Sequence, residues 1–239
     1  MGASRSTNLG GQTPRMPSLT PIDFLALATF AACWLGYATL VDRVPAIRAR
    51  SVLAAMDAHR RRWMLATLAR DNRIADMAAI GNLMNSTGFL ATTSIFILGG
   101  LVALLGAPDL GRRVIAALPY AAVPDEIAWE IKIALLLLIF VNAFFELTWA
   151  LRQFNYGSIL VGAMGRPDEA DGPAQAESAA QILNRAARHF TNGLRSYYFG
   201  LAALAWIVHP VALIIASLLV LRELHRREFR SAVRAAVGG

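Results

Sequence analysis

The chain has 239 residues, 56% of them hydrophobic and only 16% charged, with a formal net charge of +7. Soluble globular domains carry roughly 25% charged residues, whereas here the apolar residues gather into runs near the 20 or so needed for a helix to cross a bilayer. That balance excludes an ordinary soluble domain, and because the arginines flank the runs it favours anionic phospholipid over nucleic acid as the partner of the positive charge.

Residues 1–17 are rich in Gly, Ser, Thr and Pro without periodicity, the composition of a disordered tail. Thr20, Pro21 and Asp23 make a helix start: a capping side chain, a proline in the first turn and an acid at the positive end of the dipole. The first predicted span runs over 19–41. It contains the lone Cys33, which has no companion for a disulfide or metal site. Phe30-Ala31-Ala32-Cys33 has the outline of a lipoprotein cleavage box, but the apolar run continues through Trp34 to Val41, so the stretch reads as a span.

Residues 46–80 alternate apolar positions (Val52, Met56, Trp63, Leu68) with arginines at helical spacing, which predicts an amphipathic surface helix. Asp71 or Asn72 is a candidate break and re-cap within it. The second span is predicted at 81–106. A proline-punctuated loop follows over 107–125, and Asp125 with Glu126 starts a third span over 127–154. A polar linker at 165–173 leads to a second amphipathic helix over 174–196, then a fourth span over 197–221 and a basic tail over 223–239.

The expected fold is therefore an all-α integral membrane bundle of four transmembrane helices and two amphipathic surface helices, with one membrane domain over 18–222. Four crossings put both termini on one side, face one, together with the 107–125 loop. Face two receives the segments 42–80 and 155–196. Face one carries ten Lys and Arg residues and face two thirteen, a slight lean toward a cytoplasmic face two in a bacterial inner membrane.

Polar residues inside spans mark candidate sites, because lipid burial is costly for them. At about 1.5 Å of rise per residue, Thr93, Asn142 and His209 lie at similar depths, with Glu146 one turn away. Together they would form a proton- or ion-coupled site, or hydrogen bonds that fix helix packing. His209-Pro210 is also a possible kink. A second candidate lies at the membrane surface: Asn82, Arg152, Asn155, Tyr156, Arg195 and Tyr198, where arginines framed by tyrosines suit a phosphate or carboxylate. An aromatic belt with snorkelling arginines accounts for part of the same pattern. No phosphate loop, nucleophile elbow, HExxH or paired-cysteine motif is present, so no catalytic residue, metal or cofactor is assigned.

Three stretches, Asp71-Asn72-Arg73-Ile74-Ala75-Asp76, Trp149 through Tyr156, and Gly193 through Phe199, resemble an uncharacterised multi-pass membrane family, domain of unknown function 599. The resemblance covers roughly residues 20–222. It implies a multi-helix membrane domain found in bacteria and plants and brings no activity, substrate or catalytic residue. The residues alone leave three functions open. One is a non-enzymatic scaffold or a subunit binding anionic phospholipid, a membrane-protein partner or a second copy. Another is a small transporter or channel using Glu146 and His209. The third is a lipid-headgroup enzyme using Arg152 and Arg195.

Overall fold

A computed structural model describes residues 19–117 and 125–237. The expected tail over 1–17 and the prolines Pro119 and Pro124 lie outside the described residues. Among the described residues the fold is all-α, as expected.

Helix α1, Pro21–Arg43, opens on the capping arrangement the sequence suggests: the backbone N–H and hydroxyl of Thr20 both donate to Asp23 Oδ2, at 2.9 and 2.7 Å. A single π-helical turn interrupts it at Ala32–Gly36. Val44 is extended, and Pro45 starts the short α2, Pro45–Arg48. Helix α3 is Val52–Leu68, capped by the Ser51 hydroxyl. Asn72 then re-caps the chain by accepting from Ile74 N–H at 2.9 Å, and α4 runs over Ile74–Gly106. Helix α5, Pro108–Ala116, precedes α6, Glu126–Ala163, whose Asp125 cap accepts from Ala128 N–H. Helices α7, Gly172–Val208, α8, Pro210–Phe229, and α9, Ala232–Val237, complete the chain.

Among the described residues three helices, α1, α4 and α6, are long and apolar enough to cross a membrane, one fewer than expected. The stretch 197–221 is not one helix. His209 is extended (φ −161°, ψ 141°) because the following proline disfavours helical backbone before it and supplies no N–H. The His209 ring then accepts from Val211 N–H at 3.1 Å and starts α8. Beyond this point the chain reverses. Arg227 near the end of α8 reaches the Tyr198 hydroxyl midway along α7, and Val237 in α9 touches His59 in α3.

The two predicted surface helices also change. The 46–80 segment is divided among α2, α3 and the first turns of α4, and 174–196 is the first part of the continuous α7. Helices α6 and α7 have 38 and 37 residues, about 55 Å each, well beyond the ~30 Å of a hydrocarbon layer. They run antiparallel along most of that length and carry two stacked cores. One contains Phe30, Ile133, Phe140, Phe199, Trp206 and Leu213. The other, toward face two, contains Met64, Leu68, Phe154, Val161, Ala179 and Leu183. Helix α3 covers this second core, which is why the polar half of α7 needs no lipid to be ordered.

Candidate functional site

The sequence candidates are dispersed by this fold. Glu146 meets His189, not His209: its Oε2 lies 2.7 Å from His189 Nδ1, between α6 and α7. His209 sits 20 residues further along α7, about 30 Å away, exposed at the α7–α8 turn. Asn142 donates to Ser196 Oγ at 2.9 Å, and Thr93 is half-buried and, among the described residues, bonded only to the Phe89 carbonyl of its own helix. The Thr93–Asn142–Glu146–His209 cluster therefore does not assemble.

The second set also separates. Arg152 lies on the outer face of α6 against Trp149 and Tyr156, its guanidinium carbon 5.5 and 5.6 Å from their ring centres. Arg195 is buried, grips Asp42 at 3.2 and 3.3 Å, and lies over the Tyr37 ring. Tyr198 accepts from Arg227, while Asn82 and Asn155 are exposed.

What the fold does bring together is a basic cavity of about 440 Å³ between α3 and α7. On α3 it is lined by Ala54, Asp57, Ala58 and Arg61, and on α7 by Gln181, Asn184, Arg185 and Arg188. Each set follows the i, i+3, i+4, i+7 spacing of one helix face, so the two stripes look at each other. Arg48 from α2 closes one side. Asp57 ties Arg48 at 3.1 Å and Arg60 at 3.2 Å, Arg60 also donates to Asn184 Oδ1, and Arg61 pairs with Glu177 at 2.7 Å. Burial pulls the Arg60 guanidinium below its ordinary value; Asp57 opposes this and Arg188 adds to it.

Two arginines are left over. Among the described residues neither Arg185 nor Arg188 has a hydrogen bond or an ion pair, and at Arg188 the repulsion of Arg48 and Arg185 is set against the longer-range attraction of Asp57 and Asp42. Five guanidiniums thus gather at one cavity, with Asp57 and Glu177 as their ion-pair partners and Asp42 acting at longer range. Such a cluster is electrostatically incomplete and is suited to a multiply charged oxyanion, which accepts from several forks at once. Among the described residues no group of three His, Cys, Asp or Glu side chains is placed to hold a metal.

Arg185 and Arg188 fall on the polar face of the amphipathic helix expected over 174–196, but one helix's periodicity does not reveal what that face meets. The missing signal was the matching stripe at 54, 57, 58 and 61.

Residues 25–233 match the family model described as a protein of unknown function, DUF599. The chain belongs to the DUF599 family. No curated protein and no solved structure matches it. In this DUF599 chain the three stretches noted for their resemblance fall at packing points. Arg73 donates to the Met164 and Gly165 carbonyls at the end of α6, and Asp76 accepts from Trp63 and Arg70. Trp149 lies edge-on to His189, and Gly193 meets Leu147.

Proposed function

We propose that this protein is a membrane-anchored, non-enzymatic anion-binding subunit, whose α3–α7 arginine cavity takes a phosphate-bearing group on face two. The observation that carries the reading is the pair Arg185 and Arg188, which line the cavity with no hydrogen bond or ion pair among the described residues, beside Arg48 and Arg61 in the same lining and Arg60 bonded to Asn184. The lining supplies charge and hydrogen bonds, which is the chemistry of recognition. The phosphate would come from a lipid headgroup or from a soluble phosphate, and the two sources present the same oxygens to the same forks.

Face two is proposed to be cytoplasmic. The hairpin at His209 carries Arg222, Arg226, Arg227, Arg230 and Arg234 back to that side. The expected balance of ten against thirteen basic residues becomes five against eighteen, a strong inside bias.

The test is calorimetric titration of the detergent-purified protein with pyrophosphate, and of the nanodisc-embedded protein in phosphatidylglycerol against phosphatidylcholine. Binding of pyrophosphate identifies a soluble ligand; binding only of phosphatidylglycerol identifies a headgroup. In either case Arg185→Gln with Arg188→Gln should weaken the cavity's ligand at least tenfold, since a hydrogen bond to a charged group contributes about 1.5–3 kcal/mol. Equal affinity in the double variant would reject the cavity as the site.

A further inference from the structure

A second cavity, of about 550 Å³, lies where the face-two ends of α1 and α8 meet α2. Its walls are apolar, with Leu40 and Ile47 on one side and Phe229 on the other, and Arg50 and Arg230 stand at its margin. That volume is within the ordinary range of ligand pockets, about 300–1,000 Å³. Three features of the lining are unresolved within the protein. Among the described residues the guanidiniums of Arg50 and Arg230 have no hydrogen bond or ion pair, although the Arg50 carbonyl is held by Arg234 at 2.7 Å. Tyr37, which also lines the cavity and is only 8% exposed, has a buried hydroxyl with no hydrogen-bond partner. A buried polar group left in that state is destabilising unless something binds to it.

We propose that this cavity holds an anionic glycerophospholipid. The ligand must offer acceptor oxygens to Arg50 and Arg230, carry negative charge, and continue into an apolar chain that lies against Leu40, Ile47 and Phe229. A phosphodiester headgroup with its glycerol esters and acyl chains meets all of these demands. A soluble phosphate offers the charge and the acceptor oxygens but has no apolar chain for Leu40, Ile47 and Phe229. The position agrees: Tyr37 and Leu40 are near the end of a helix apolar enough to span, at the level where headgroups and chains join. The nearest carboxylates do not fill the same role. Asp42 is taken by Arg195, and Glu228 accepts from Leu53 N–H. The site is separate from the α3–α7 cavity, so each can fail without the other.

The full-length protein should be purified in mild detergent, titrated with dioleoylphosphatidylglycerol or dioleoylphosphatidylcholine, and examined by native mass spectrometry. Wild type should retain phosphatidylglycerol at least tenfold better than phosphatidylcholine. Arg50→Gln with Arg230→Gln should erase that preference. Ile47→Trp, which fills the cavity and leaves both charges, should reduce retention of phosphatidylglycerol to a similar degree. Tyr37→Phe should raise the melting temperature of the protein, because it removes an unpartnered buried hydroxyl, and leave phosphatidylglycerol retention unchanged. Arg185→Gln with Arg188→Gln should leave this retention unchanged. Equal retention of the two lipids by wild type, or an intact preference in both the Arg50/Arg230 and Ile47→Trp variants, would overturn the proposal.

Discussion

Arg73 shows how a single side chain can hold a junction. A helix end leaves carbonyls without intrahelical donors, and at the end of α6 those of Met164 and Gly165 are met by the Arg73 fork, the latter at 2.7 Å. The same guanidinium reaches back to the Thr67 carbonyl, so it joins the ends of α3 and α6 to the start of α4. Asp76, one turn on, is 2% exposed and takes the Trp63 N–H at 2.6 Å together with Arg70. Arg73→Gln should therefore cost about 2–3 kcal/mol, read as a lower midpoint on detergent-denaturant titration. Arg73→Lys should recover only part of the loss, because an ammonium cannot span two carbonyls as a planar fork. At face one, Asp23 has a comparable double role. It caps α1 and also accepts from the Trp206 indole at 2.7 Å, while Lys132 lies 5.5 Å from the Trp206 ring centre. Asp23 was legible as a helix start because capping is local. Its pairing with Trp206, 183 positions away, was not, although a solitary lysine inside an apolar run is itself a signal that a partner must exist.

Contact between α6 and α7 depends on the absence of side chains at three positions: Gly157 on α6, where a Cβ would sit 2.5 Å from Leu183 Cδ2, and two on α7. A Cβ at Gly193 would sit 2.7 Å from Leu147 Cγ, and one at Gly200 would sit 2.9 Å from Phe140 Cζ. Neither neighbour is free to move, since Leu147 and Phe140 are themselves buried. Small residues permit this approach between membrane helices, and Gly193→Val should cost about 1–3 kcal/mol by overpacking. The same denaturant titration measures it, and Gly162→Val, at a position with open space, serves as the control. The apolar runs at 19–41, 81–106 and 127–154 were readable because hydrocarbon burial leaves a continuous hydropathy signal. The join between 174–196 and 197–221 was not, since α7 passes unbroken from a protein-packed half into an apolar half. A hydropathy window registers the change in solvent and takes it for a change of element. His209-Pro210 carried the true boundary, but a Pro step marks a kink and a reversal alike. Which of the two forms depends on Trp206 and Leu213 packing into one core. The α3–α7 cavity was hidden for a related reason: its two stripes, 54–61 and 181–188, lie more than a hundred residues apart.

At the scale of the whole molecule, the hairpin decides where the chain finishes. Three helices apolar enough to span, starting from face one, would leave the chain on face two after α6, and α7 followed by α8 would go toward face one and return. The return is anchored independently by Arg227 on Tyr198, Glu228 on the Leu53 N–H, and Arg234 on the Arg50 carbonyl. The N- and C-terminal regions should thus lie on opposite sides, whereas four simple crossings would place them together. Cysteine scanning separates the two, because the native Cys33 is buried and Cys33→Ala clears the background. In that background Asp109→Cys reports face one, Arg62→Cys reports face two and Val233→Cys, on the exposed side of α9, reports the end of the chain. With a membrane-impermeant maleimide on intact bacterial cells, Asp109→Cys should react while Arg62→Cys and Val233→Cys are protected until the cells are opened. Val233→Cys reacting together with Asp109→Cys would remove the hairpin. Joint reaction of Arg62→Cys and Val233→Cys, with Asp109→Cys protected, would keep the hairpin and reverse the orientation. That last result would place both arginine cavities on the outer side and oppose the inside bias expected of the eighteen basic residues on face two.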